Sequence, residues 1–197
     1  MWTKEILGTD VLHLVQCFIL YSMLGWLVES VYMSLCNRKL TNRGFASSPI
    51  CPIYGFGGVL GYLILHPLSR NLFMLYILGA LLATAFEFLV AKLMDKVLGT
   101  VWWDYSDKPL NYKGMICAES TVAWGFYAVI IVNFLHKALM RTVDSIPTQI
   151  GIVACRVIMV CYGVDFAYHL YRALDINLKE YQEKVRDSYH NFRAKWQ

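Results

Sequence analysis

The chain has 197 residues and a formal net charge of +4, and 57% of its residues are hydrophobic while only 16% are charged. A soluble domain carries about a quarter charged residues, so this composition excludes an ordinary water-soluble protein. The apolar residues form several runs of near-spanning length, which predicts one compact helical membrane domain. The six cysteines are scattered without a Cys-x-x-Cys pair, and a disulfide framework is not expected.

The first apolar segment runs from Val11 to about residue 35. It is too long for the hydrophobic part of a signal peptide, so we expect the first membrane span here. Helical spacing places Ser22, Gly25, Trp26 and Glu29 on one face. Because a carboxylate facing lipid is costly, Glu29 is expected to face the bundle interior, or else to reach water at the interface.

The second and third spans are predicted over residues 53–65 and 72–91, after a loop that covers residues 37–48. Pro52 suits the first turn of the second helix. Gly57 and Gly61 have the small-residue spacing that lets two membrane helices approach closely. Glu87 lies well inside the third span, where a carboxylate is by default functional or ion-paired. The alternative is a protonated, hydrogen-bonded structural acid.

The loop predicted over residues 92–112 contains Trp102-Trp103-Asp104-Tyr105-Ser106. Tryptophan and tyrosine favour the headgroup level of a membrane, so an interfacial aromatic belt would explain the rings. A belt does not explain the carboxylate and the hydroxyl beside them. We therefore interpret this motif as part of a polar site near one membrane face.

The fourth span is expected from about residue 115 to about residue 135, and a loop from residue 136 to 149. Glu119 lies near the start of this span. An acid there either binds a ligand or stabilises the positive N-terminus of the helix.

The fifth span is expected over residues 150–171 and contains three charged or titratable side chains. Arg156 needs a partner, for which Glu29 or Glu87 would serve if their depths match. Asp165 and His169 are four residues apart on one helical face, which predicts a local pair.

Residues 177–197 form a different kind of segment, with an apolar stripe surrounded by basic residues. The pattern predicts an amphipathic helix that lies on the membrane or on a partner, or that pairs with a second copy in a homo-oligomer. The expected organisation is thus all-α: a transmembrane domain of about five helices over residues 1–176 and a C-terminal cytoplasmic helix over residues 177–197.

The distribution of lysine and arginine predicts the orientation. With five spans, thirteen of the eighteen basic residues fall on the side that holds both polar loops and the C-terminus, and four fall on the other side. Because basic residues accumulate on the cytoplasmic side, we expect a multi-pass plasma-membrane protein of bacterial type, with its N-terminus outside and its C-terminus in the cytoplasm.

Several chemistries are excluded by the sequence. No Gly-x-x-x-x-Gly-Lys-[Ser/Thr] motif is present, so the chain does not hydrolyse nucleotides through a P-loop. The histidines are isolated and no Cys/His cluster indicates zinc. The basic tail is better explained by anionic lipid than by nucleic acid. We predict no metal, no cofactor and no nucleic-acid partner, and whether the chain is an enzyme stays open.

A series of motifs recurs in a fixed order between residues 15 and 130. It resembles the ABC-transporter type IV permease family called CmpB-like, and the resemblance implies a transporter subunit in membrane lipid with a separate ATPase subunit. The chain departs from the family pattern at 46–48 and at 118–119. The motifs are Tyr21-Ser22, Gly25-Trp26, Glu29, Asn42-Arg43-Gly44-Phe45, Pro49, Cys51-Pro52-Ile53-Tyr54-Gly55, Glu87, Trp102-Trp103-Asp104-Tyr105-Ser106, Asn111, Gly114, Ile116-Cys117 and Trp124-Gly125.

Two functional hypotheses follow. In the first, the chain is a permease-like or substrate-binding subunit for an unknown small molecule, with its polar site open to the cytoplasm. In the second, it is an intramembrane enzyme acting on a lipid or lipid-linked substrate, with Asp104 or Glu119 as acid or base and Cys51, Cys117 or Ser106 as nucleophile. The candidate binding residues are Trp26, Glu29, Arg43, Tyr54, Glu87, Trp103, Asp104, Tyr105, Asn111 and Glu119.

Overall fold

The computed structural model describes the backbone of residues 2, 5–6 and 9–194, and the side chains of residues 2 and 9–174. Helices make up most of this part of the chain, which confirms the all-α membrane fold. A short antiparallel hairpin, Glu5–Ile6 with Thr9–Asp10, precedes them. The helices are α1 (Val11–Asn37), α2 (Pro52–Leu65), α3 (Leu72–Leu98), α4 (Ala118–Ile130), α5 (His136–Asp144) and α6 (Thr148–Ala194).

Four helical segments in the described residues are long and apolar enough to cross a membrane. They are Val11–Asn37, Leu72–Leu98, Ala118–Asp144 and Thr148–Leu174. The second predicted span is shorter: α2 has 14 residues and continues into the 3-10 turn His66–Leu68. At about 1.5 Å per residue, α2 alone reaches about 21 Å, less than the roughly 30 Å of a hydrocarbon core.

Contacts between loops fix which helix ends lie together. Arg43 in the loop 38–51 binds the carbonyl of Trp102 in the loop 99–117. Ser48 in the first of these loops binds Asp165 of α6. At the opposite end, His13 near the start of α1 lies 3.2 Å from Asp144 at the end of α5. The chain therefore alternates in direction, and the two loops that were expected on one side lie at the same end of the bundle. We call their end of the bundle the motif end.

The close approach of α1 and α2 uses different glycines from those expected. A Cβ on Gly58 would lie 2.6 Å from the ring of Tyr21, and one on Gly55 would meet Ser22. In contrast, a Cβ on Gly61 has no neighbour within 4 Å, and one on Gly57 would make only an ordinary contact. The small-residue spacing of Gly57 and Gly61 is therefore not used between α1 and α2, because the face of α2 that packs on α1 carries Gly55 and Gly58.

Two predicted loops are partly helical. The fourth span does not end near residue 135: a π-helical turn, Ile131–Leu135, leads directly into α5, so the loop expected from residue 136 begins only after Asp144. No proline interrupts this stretch until Pro147, and its backbone can stay helical. Similarly, α3 continues past residue 91 to Leu98, where Gly99 ends it with φ of 67°.

Helix α6 is continuous from Thr148 to Ala194, without a break at residue 177. The side chains from residue 175 onward lie outside the described residues. The amphipathic surface role of residues 177–197 therefore stays a prediction, as does pairing with a second copy.

Candidate functional site

Glu29 is ion-paired near the motif end of α1. The Arg43 Nη2 and Nε atoms lie 2.8 and 2.9 Å from its Oε1, and the Tyr54 hydroxyl donates to its Oε2 at 2.7 Å. The same guanidinium donates through Nη1 to the Trp102 carbonyl at 3.2 Å. The two charged side chains are about one quarter exposed. A single arginine therefore neutralises Glu29 and joins the two loops of the motif end.

Glu87 of α3 is 4% exposed, and its side chain contacts α4. Its Oε1 accepts from the Tyr105 hydroxyl at 3.0 Å, and its Oε2 accepts from Trp124 Nε1 at 3.0 Å. The Ser120 hydroxyl lies 3.3 Å from Oε2. The Tyr54 and Trp124 rings are 6.5 Å apart, so the surroundings of Glu29 and Glu87 adjoin. We call Glu29, Arg43, Tyr54, Glu87, Tyr105, Ser120 and Trp124 the acid cluster.

Ser120 and Trp124 were not among the candidate residues. Trp124 stands in the motif order, but nothing local indicates that its indole nitrogen faces a carboxylate 37 residues earlier. Ser120 also belongs to the cap of α4. Cys117 is the N-cap of α4 and accepts from the Ser120 amide. Glu119 therefore stands in the first turn and is not the capping residue.

The Trp102–Ser106 motif is held by specific contacts. The Trp102 ring stacks on Phe45 with centroids 4.5 Å apart, and Trp103 Nε1 donates to the Met115 carbonyl at 2.8 Å. These contacts go beyond what an unspecific aromatic belt would need, because each ring has a defined partner on a neighbouring segment. The Tyr105 hydroxyl connects the motif to the acid cluster through its hydrogen bond to Glu87.

A tight turn surrounds Asp104. Its Oδ1 accepts from the Ser106 amide at 2.8 Å and from the Ser106 hydroxyl at 2.6 Å, and these bonds lower the pKa of the carboxyl. Gly114 packs on this turn with φ of 67°, and a Cβ there would lie 2.7 Å from Asp104 Oδ1. Asn111 closes the loop by donating to the Ser106 and Lys108 carbonyls at 3.0 and 2.8 Å.

A surface cleft of about 330 Å³ opens beside this turn. Its walls combine two carboxylates, one ammonium group and apolar side chains. The lining residues are Asp95, Val101, Trp103, Asp104, Ser106, Lys113, Gly114 and Met115.

Seven of the ten candidate residues belong to the acid cluster or line the cleft. Glu29, Arg43, Tyr54, Glu87 and Tyr105 belong to the acid cluster, and Trp103 and Asp104 line the cleft.

The other three support the loops or stand on the surface. Trp26 donates through Nε1 to Asn42 Oδ1 at 2.6 Å, and Asn111 bridges its own loop. Glu119 is an exposed residue whose carboxylate lies 2.8 Å from Lys108 Nζ. Whether any of the ten binds a ligand stays a prediction.

The cysteines near the site are buried. Cys51 is 7% and Cys117 is 3% exposed. Burial raises the pKa of the Cys51 thiol to about 12, so it is protonated at neutral pH and is a poor nucleophile. In the described residues, no group of three or more His, Cys, Asp or Glu side chains is arranged to hold a metal ion.

Helix α6 forms hydrogen bonds with the loop 38–51. Asp165 accepts from the Ser48 amide at 2.8 Å and also from its hydroxyl, and His169 Nδ1 lies 3.1 Å from Asp165 Oδ1, as the local pair predicted. Arg156, in contrast, pairs with neither candidate acid. Its guanidinium lies 5.7 Å from the centre of the Trp2 ring, because Arg156 is near the end of the bundle opposite Glu29 and Glu87.

Comparison with known proteins identifies the family of this chain. A search among curated proteins and a search among solved structures found nothing similar. One family model, described as "Putative ABC-transporter type IV", matches residues 16–170. The match extends beyond the motifs that end near residue 130 and includes most of the membrane-spanning part of α6. Because it covers well over half of the sequence, the chain belongs to this ABC-transporter type IV family, the CmpB-like family of the sequence motifs.

Proposed function

We propose that the chain is the membrane-embedded, permease-like or substrate-binding subunit of a transporter for a small molecule. The observation that carries this proposal is the acid cluster. Two carboxylates from two different spanning helices lie in adjoining surroundings, and each is bound by a side chain from a loop of the motif end. Ionisable groups inside a membrane are expensive and commonly mark the path of a solute or ion.

The lack of a P-loop in this chain supports a division of labour. ATP hydrolysis would belong to a separate subunit, and the motif end is the natural face for it to contact. Thirteen of the eighteen basic residues are assigned to that side of the membrane, which favours a cytoplasmic motif end and an outer N-terminus. A plasma membrane of bacterial type is part of the same proposal.

An intramembrane enzyme is the alternative hypothesis. Its nucleophile would have to be Cys51, Cys117 or Ser106. The two thiols are buried, and the Ser106 hydroxyl donates to Asp104 in a turn that Gly114 packs against. Substituting each of these residues separately tests the alternative, and loss of function from one of them would favour it.

The main test purifies the affinity-tagged full chain from its native membranes. We expect a subunit with a P-loop to co-purify in fixed ratio, and the complex to hydrolyse ATP. In parallel, the solute content of cells that lack the gene is compared after complementation with wild type, Glu87→Gln or the control Asp107→Asn. Asp107 is exposed on the loop 99–117, which we call the motif loop, and lies outside both the acid cluster and the cleft.

The expected result is that wild type and Asp107→Asn restore the same solute pool and Glu87→Gln does not. If no ATPase subunit accompanies the chain and deletion leaves every solute pool unchanged, the proposal is wrong.

A further inference from the structure

The acid cluster has an uneven charge balance. Arg43 neutralises Glu29 through two contacts below 3 Å. Glu87, in contrast, takes part in no ion pair of the described residues, and its three polar contacts, Tyr105, Ser120 and Trp124, are all uncharged. An isolated carboxylate at 4% exposure inside a spanning helix is strongly disfavoured, so Glu87 needs a positive partner or a proton.

The Ser120 hydroxyl allows for both states of Glu87. It lies 3.0 Å from the Cys117 carbonyl and 3.3 Å from Glu87 Oε2. With its proton directed at the carbonyl, Ser120 Oγ accepts a bond from a protonated Glu87. With its proton directed at Oε2, it stabilises the ionised carboxylate together with Tyr105 and Trp124. The surroundings of Glu87 are therefore hydrogen-bonded whether the acid is charged or neutral.

Aromatic side chains lie beside the acid. Trp124 contacts Glu87 through its indole N–H, and its ring centroid is 6.5 Å from that of Tyr54 and 5.7 Å from that of Tyr127. Faces of tryptophan and tyrosine rings attract cations, most strongly where water is excluded. A buried carboxylate beside these rings suits an ammonium ligand better than an anion.

The cleft lies on the other side of the motif loop from Glu87. Asp104 and Ser106 line it, and the residue between them, Tyr105, reaches Glu87 with its hydroxyl. Two carboxylates, Asp95 and Asp104, outnumber the one ammonium group in its wall. Its volume of about 330 Å³ is near the lower limit for small-molecule sites. Its charge favours cations, although the motif end is basic as a whole.

We infer that Glu87 is the binding carboxylate of a site for a small organic cation that carries an ammonium group, that the cleft at Asp95 and Asp104 admits this cation, and that a proton occupies Glu87 when the cation is absent. Binding then releases the Glu87 proton to water as the ammonium group takes its place. This inference rests on the proposed function and gives its substrate class.

The titratable and charged groups around Glu87 come from each neighbouring element. Tyr105 belongs to the motif loop, Tyr54 to α2, and Glu29 with its partner Arg43 to α1 and the loop 38–51. Since Arg43 already balances Glu29, Glu87 is the group expected to exchange its proton.

The test uses the full chain in lipid nanodiscs with tetramethylammonium chloride as the probe and sodium acetate as its anionic counterpart. Affinity is followed by tryptophan fluorescence and proton release by a pH indicator in weak buffer. We expect saturable tetramethylammonium binding with proton release, and no saturable acetate binding. Glu87→Gln should bind about tenfold more weakly or worse and release no proton, since it loses the charge contact.

Asp107→Asn is the control, because it removes an exposed carboxylate outside both the acid cluster and the cleft, and it should behave as wild type. If Glu87→Gln does not fold, wild type alone decides: tetramethylammonium should remove the infrared band of a protonated carboxyl group. Absence of saturable binding, absence of that spectral change, or equal behaviour of a folded Glu87→Gln would overturn the inference. A chain that assembles with its ATPase but ignores tetramethylammonium refutes only the substrate class, whereas a chain that binds it without any ATPase refutes only the proposed subunit role.

Discussion

Replacing Arg43 by alanine should destabilise the chain, because it leaves Glu29 without its counter-charge. Removing one partner of a fully buried ion pair costs about 3–5 kcal/mol. The two side chains are about one quarter exposed, so solvent screening lowers this cost to roughly 2 kcal/mol. Arg43 also donates to the Trp102 carbonyl, and the loss of that bond adds about 1 kcal/mol. We expect Arg43→Ala to lower the free energy of unfolding by about 2–4 kcal/mol.

The assay is unfolding by sodium dodecyl sulfate in mixed micelles, followed by tryptophan fluorescence. Lys39→Ala is the control, since Lys39 stands in the same loop and makes no ion pair in the described part of the chain. Glu29→Gln in the Arg43→Ala background should recover part of the loss, because it removes the uncompensated charge.

The double-mutant cycle gives the decisive result. We expect a coupling energy of at least about 1 kcal/mol between the two residues. If the two substitutions add without coupling, the ion pair does not stabilise the fold and the reasoning about the acid cluster fails.

Three further substitutions or measurements test local statements. Gly58→Ala should destabilise the protein by about 1–3 kcal/mol, because its Cβ would overlap a tyrosine ring of α1, whereas Gly61→Ala in the same helix should be neutral or stabilising; equal effects in the unfolding assay would contradict the packing. Cys51 should resist maleimide at neutral pH while the exposed Cys36 reacts, since burial raises the Cys51 pKa to about 12. Mass spectrometry of labelled peptides measures both reactions, and labelling of Cys51 as fast as Cys36 would contradict the prediction. The hydrogen bonds of its turn lower the pKa of the Asp104 carboxyl in the folded chain. The turn should therefore be intact above the ordinary carboxyl range and be lost as the pH falls through the lowered pKa, which tryptophan fluorescence can follow. A fluorescence transition that persists unchanged in Asp104→Asn would refute this assignment.

Much of the fold could be predicted because its signals are local. Apolar runs of spanning length marked the helices, and Pro52 marked the start of α2. Helical spacing correctly paired Asp165 with His169. Helix ends were less accurate: α5 was expected to be part of a loop, but no residue in it breaks a helix.

The sequence identified several residues of the site but few of the contacts between them. The sequence placed Glu29 and Glu87 in two spans and Tyr105 in a loop near one membrane face, and the structure joins them in one cluster. It did not reveal Trp124 and Ser120, which reach Glu87 from another helix. Glu119 was expected beside the site but stands on the surface with Lys108, since its position in the first turn of α4 turns it outward.

The sequence alone determined that this protein is helical, embedded in lipid and equipped with the acids Glu29 and Glu87 in its first and third spans. These properties depend on composition and on spacings of a few residues, which a short segment carries by itself. Only the tertiary structure decided that Arg43 neutralises Glu29 while Glu87 keeps uncharged partners. Partners 14 to 37 residues apart meet only when helices pack, and the packing depends on which glycines let α1 and α2 approach.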